Sequence, residues 1–111
     1  MLDMGISRRC AENKETKQVD IFGNINEKAL ERKLAAEVKS AGGWSIKLLA
    51  THVTGLPDRL CLLPGGRAIF VEVKSTGEKP RKIQIHIHKK IRALGFRVEV
   101  IDKLEQIQDI L

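Results

Sequence analysis

The segment Asp58–Lys74, DRLCLLPGGRAIFVEVK, constrains the fold more than any other part of the chain. Its centre, Pro64-Gly65-Gly66, is a strong turn signal, since proline ends a strand and glycine reaches turn conformations closed to other residues. The flanking runs, Asp58–Leu63 and Arg67–Lys74, are rich in the aliphatic, β-branched and aromatic residues that sheets favour. Two strands joined by so short a connection form an antiparallel hairpin.

The rest of the chain supplies partners for it. Leu30, Leu34, Val38 and Ala41 recur at helical spacing, which predicts a helix over 25–41. Asn24 is its expected N-cap, with Glu27 three residues on as a variant capping box, and Gly42-Gly43 ends it. A further strand over Ser45–Ala50 follows, with Trp44, Ile46 and Leu48 in alternation and Trp44 expected in the core. Residues 81–94 carry both a strand-like alternation and the helical stripe Ile83, Ile87, Ile91 and Leu94. Pro80 before them and Gly95 after them favour a helix. Phe96–Ile101 is then a fourth strand, and Lys103–Leu111 a short closing helix with Leu104, Ile107 and Ile110 or Leu111 inward. The order is αβββαβα, an α/β protein.

A length of 111 residues, 42% of them hydrophobic, fits one domain with its own core. Residues 1–24 are polar and charged without sustained periodicity and are expected to form a loose extension, with Met4 as a second possible start; 25–111 form the domain. Cys10 and Cys61 make no CxxC pair, which argues against a zinc ribbon or a disulfide scaffold. No apolar run is long enough to span a bilayer and the start lacks a signal-peptide core, so the expectation is a cytoplasmic protein without membrane contact. Lys and Arg number 20 against 14 Asp and Glu, a net charge of +6, which favours a polyanionic partner.

The chemistry sits where a strand should be apolar. Glu72 and Lys74 stand two apart and therefore share one face of their strand, while Val71 and Val73 share the other. The hairpin brings Asp58 alongside them. Two neighbouring carboxylates repel, and burial raises that cost, so they call for a positive partner; a divalent cation serves best and Lys74 adds a second charge. Carboxylates, a main-chain carbonyl such as that of Val73, and Mg²⁺ or Mn²⁺ suit phosphodiester hydrolysis. Lys74 would orient or deprotonate the attacking water, or hold the phosphate. Alternation alone would equally describe the solvated face of an edge strand, and Asp58 alone a turn residue after Pro57.

Pro57-Asp58 followed by Glu72-Val73-Lys74 resembles the PD-(D/E)xK nuclease signature. The wider sequence is similar to one branch, the virus-type replication-repair nuclease (VRR-NUC) domain. The likeness rests on Glu31-x-x-Leu34, Gly42-Gly43 with Lys47 four residues beyond, Gly55-Leu56-Pro57-Asp58, Phe70-Val71-Glu72-Val73-Lys74, Gln84, and Leu94-Gly95-Phe96. It implies an αβββαβ restriction-endonuclease-like core with a mixed four-stranded sheet flanked by helices. It also implies a metal held by Asp58, Glu72 and the Val73 carbonyl, with Glu31 reaching the ion directly or through water. Lys74 would be the catalytic lysine, and Gln84 would position it or the substrate. Glu31 borders the apolar stripe of its helix, as an ordinary boundary glutamate would, and Gln84 borders its own. Glu27 is the rival acid, already explained by capping.

Lys79, Arg81, Lys82, Lys89, Lys90, Arg92 and Arg97 occur with no acidic residue among them. Such a run neutralises phosphates with little sequence preference, although a solubilising helix face has the same composition. Lys47 is a further candidate phosphate contact. His86 and His88, two apart on a helix, diverge and would not share a zinc ion. Small stand-alone VRR-NUC domains resemble phage enzymes that dimerise and cut branched DNA, which implies a homodimeric four-way (Holliday-type) junction nuclease. A flap- or duplex-acting nuclease and a non-catalytic DNA-binding protein are the alternatives.

Overall fold

The computed structural model describes residues 19–111. Met4, Cys10 and most of the expected extension lie outside the described residues. The elements are α1 (Glu27–Ser40), β1 (Trp44–Lys47), β2 (Arg59–Leu63), β3 (Arg67–Val73), α2 (Lys82–Ala93), β4 (Arg97–Ile101) and α3 (Glu105–Ile110). This is the expected αβββαβα order. The four strands form one sheet in the order β1-β2-β3-β4. β1 and β3 both run antiparallel to β2, and β4 runs parallel to β3 after the α2 crossover, so the sheet is mixed.

α1 begins two residues later than its sequence suggests. Asn26 is the N-cap and accepts the Ala29 N–H at 2.8 Å. Asn24 instead closes a turn on Asp20, with its main-chain N–H 2.9 Å from the Asp20 carboxylate. Glu27 is thereby released from capping and opens the helix, where an acid meets the positive end of the helix dipole. Ala29, Leu30, Leu34 and Val38 form the buried face. Ala41, counted with that stripe, is exposed as the C-cap. Gly43 has no room for a side chain, since a Cβ there would run into the Leu62 carbonyl oxygen. That close approach ties the end of α1 to β2.

The core lies on one side of the sheet. α1 packs over Cys61, Leu63, Ile69, Val71, Val73 and Ile101, with Ile107 and Ile110 of α3 closing one end. Ile69, Val71 and Val73 alternate with Phe70 and Glu72, so the period of two sends Glu72 to the sheet's other face. Cys61 is a buried free thiol whose pKa is raised by that burial.

The second face is only partly covered, and two expectations are corrected there. Trp44 is not a core residue: it is 67% exposed, because it starts an edge strand, opposite the exposed Leu62. The inward residues of α2 are not the isoleucines but Gln84 and His88, while Ile83 and Leu94 are exposed. The physical reason is the polar end of β3, where Glu72 and Lys74 draw the polar positions of α2 inward. No helix among the described residues is long and apolar enough to cross a membrane.

Candidate active site

The site forms where the start of β2, the end of β3 and the first turns of α1 and α2 meet. The β2–β3 register pairs Arg59 with Val71, which carries Asp58 to the level of Glu72. The Val73 N–H donates to Asp58 Oδ2 at 2.7 Å, fixing that carboxylate against β3. The loop before Asp58 is seated on α2: Gly55 has φ +91°, and a Cβ there would lie 2.9 Å from the Ile83 carbonyl oxygen. A side chain at Gly55 would push Asp58 and α2 apart.

Glu72 is fully buried. Its Oε2 accepts from Gln84 Nε2 at 3.0 Å and lies 3.4 Å from Lys74 Nζ. Gln84 is itself fixed, because its Oε1 accepts the Arg81 N–H at 2.8 Å at the start of α2. Glu72 Oε1 faces His88 Nε2 at 3.4 Å, and neither atom has a hydrogen-bond partner among the described residues. Burial, and next the Asp58 charge, push the Glu72 carboxyl up to about 8, with Lys74 opposing. His88 is held below its ordinary value, first by burial and then by Arg92 and Lys74.

The two acids of α1 have different surroundings. Glu31 accepts from Arg59 Nε at 2.8 Å and lies 3.3 Å from Lys47 Nζ. Glu27, one turn earlier, is pushed up by partial burial and then by Asp58, with Lys74 opposing. Glu27 therefore shares the field of the Asp58–Lys74 pair, whereas Glu31 is neutralised by two cations.

Asp58, Glu72, Lys74 and Gln84 thus come together, and Val73 lies between Glu72 and Lys74 on β3. Lys79, Arg81 and Lys82 are exposed at the entry to α2, and Lys89 and Lys90 are exposed towards its far end. Arg92 is drawn back onto β4, donating to the Val98 carbonyl at 2.7 Å. Sequence reasoning missed His88, although its i, i+4 spacing from Gln84 puts both on one helix face. It also set Glu27 aside as a capping residue.

The donor chemistry fits a hard divalent cation. A buried carboxylate oxygen without a partner, beside a second carboxylate, is a poor arrangement in protein alone and a good one around Mg²⁺ or Mn²⁺. Among the described residues no three His, Cys, Asp or Glu side chains form a ready-made metal cluster. That is compatible with Mg²⁺, which usually keeps several waters and takes one or two carboxylates.

No protein-family model matches the chain. It is 44% identical over 78 residues to "Putative nuclease p44" of Acyrthosiphon pisum secondary endosymbiont phage 1, across 70% of this chain and 84% of that one. A solved structure described as a VRR_NUC domain superposes with a TM-score of 0.72 at 30% identity, covering 76% of this chain and 91% of the other. With the strand order, the Asp58–Glu72–Lys74 grouping and these two likenesses together, the chain belongs to the VRR_NUC family.

Proposed function

We propose that the chain is a Mg²⁺- or Mn²⁺-dependent endonuclease that hydrolyses DNA phosphodiester bonds. The observation that carries the reading is the fully buried Glu72, with an unpartnered oxygen, beside Asp58 and Lys74. A solvated edge strand would leave these groups in water.

Asp58, Glu72 and the Val73 carbonyl would hold the ion, with an acid of α1 completing the set. Glu27, which shares the field of Asp58, is better supported in that role than Glu31. When bound, the cation lowers the pKa of a water and offsets negative charge growing on the phosphate. The chain's own part is positional. Gln84 fixes one oxygen of Glu72, and Lys74 stands beside it to orient the attacking water or grip the scissile phosphate. Lys47, Lys79, Arg81, Lys82, Lys89 and Lys90 would meet the phosphate backbone without reading bases, while Arg92 is held on β4.

We take the preferred substrate to be branched DNA, cut by a homodimer. One compact chain carries one site, and resolving a four-way junction needs two opposed cuts, which a two-fold dimer supplies. The uncovered sheet face supports a partner copy: Trp44 and Leu62 pair across β1 and β2, and Phe96 packs edge-on against Phe70. Trp44, Leu62 and Phe96 are 67%, 36% and 49% exposed. The test is cleavage of a four-way junction, a flap and a linear duplex with and without Mg²⁺ or Mn²⁺, beside the solution mass of the protein. Metal-dependent cutting of the junction by a dimer is expected. Equal rates on all three substrates would remove junction selectivity. Binding without cutting in either metal would leave a non-catalytic DNA-binding protein.

A further inference from the structure

A groove on the opposite flank of the site from α2 enters the reading above only through Lys47. Lys28, Glu31 and Arg32 of α1 face Lys47 at the end of β1 and Arg59 at the start of β2, around a cavity of about 510 Å³. Lys47 and Arg59 are register partners across the sheet. Four cations thus surround one acid. Glu31 and Arg59 form the floor, with side chains 12% and 18% exposed and joined at 2.8 Å. Lys28 and Arg32, one helical turn apart, are exposed and have no ion-pair partner among the described residues. Unpaired like charges held close together repel, and an anion with several oxygens relieves that repulsion. Lys28 follows Glu27 and Arg59 follows Asp58, so the groove opens directly beside the catalytic acids.

We propose that this α1–β1–β2 groove binds the phosphodiester backbone of the substrate on the α1 side of the cut, with Glu31 fastening Arg59 and Lys47 as its floor. The inference rests on the nuclease reading and deepens it. The scissile bond then lies between two cationic flanks, this groove on one side and Lys79, Arg81 and Lys82 on the other. No aromatic side chain among the described residues lines the groove, so it grips backbone rather than stacking bases.

The test is equilibrium binding of a labelled linear duplex and a labelled four-way junction, in chelator, across a range of salt. The wild type is compared with K28Q/R32Q and with K39Q/K103Q, which removes the same charge at sites remote from the groove. The groove variant is expected to bind about tenfold or more weakly at 0.1 M salt. Its slope of log affinity against log salt should be shallower by about 1.8, or about 0.9 for each lost phosphate contact. The remote variant should stay within about twofold of the wild type. Equal weakening of the two variants, with wild-type binding and cutting intact, would overturn the groove alone. A wild type that binds neither DNA would overturn the groove and the nuclease reading together.

Discussion

Glu72 makes the metal-free protein's stability depend on pH in an unusual direction. Its carboxyl lies at about 8 in the folded chain and near the ordinary 4.5 when unfolded, so the folded state holds a proton that the unfolded state has lost. The stabilisation is complete below about pH 4.5 and disappears as pH rises through about 8. Glu27, also raised, acts in the same sense. His88, lowered from 6.5, acts oppositely by weakening the fold as pH falls below that value. The window least disturbed by His88 is therefore about pH 6.5 to 8.5, above the midpoint of its titration in either state. Across it, a carboxyl at about 8 costs the fold about 2 kcal/mol. Urea denaturation in chelator at the two ends of that window measures this directly. The wild type should lose about 2 kcal/mol, and Glu72→Gln, which cannot ionise, should lose much less. A wild type of constant stability, or an equal loss in Glu72→Gln, would refute the buried, charge-coupled state of Glu72.

Three further outcomes follow from the same geometry. Lys74→Ala should abolish cleavage while DNA binding is largely kept, as read by cutting and by fluorescence anisotropy on one substrate. Glu27→Gln should weaken Mn²⁺ uptake measured by calorimetry, whereas Glu31→Gln should leave it within about twofold, since Arg59 and Lys47 already neutralise that acid. His88→Leu leaves Glu72 Oε1 facing an apolar group; Mn²⁺ affinity and cleavage should fall together, with His88→Gln restoring part of both.

The hairpin and the site on it were legible because both rest on short-range rules. Pro64-Gly65-Gly66 fixes a turn, and a period of two puts Glu72 with Lys74 and apart from Val71 and Val73. The body of α1 was legible for the same reason, through Leu30, Leu34 and Val38. The features that were not legible depend on what lies across a gap in space. Trp44 alternates like a core residue, but it starts an edge strand and its ring stays exposed. α2 carries an apolar stripe and a Gln84–His88 pair at helical spacing, and only the polar end of β3 decides which turns inward. A helix start placed two residues too early at Asn24 was enough to hide Glu27.

The central claim is that Asp58 and Glu72 hold one divalent ion, and calorimetric titration of the protein with Mn²⁺ near neutral pH, in buffers of different ionisation enthalpy, tests it most directly. The account predicts saturable uptake that releases close to one proton, because Glu72 must ionise to bind, and loss of that uptake in Glu72→Gln. No uptake by the wild type, or undiminished uptake by Glu72→Gln, would contradict it.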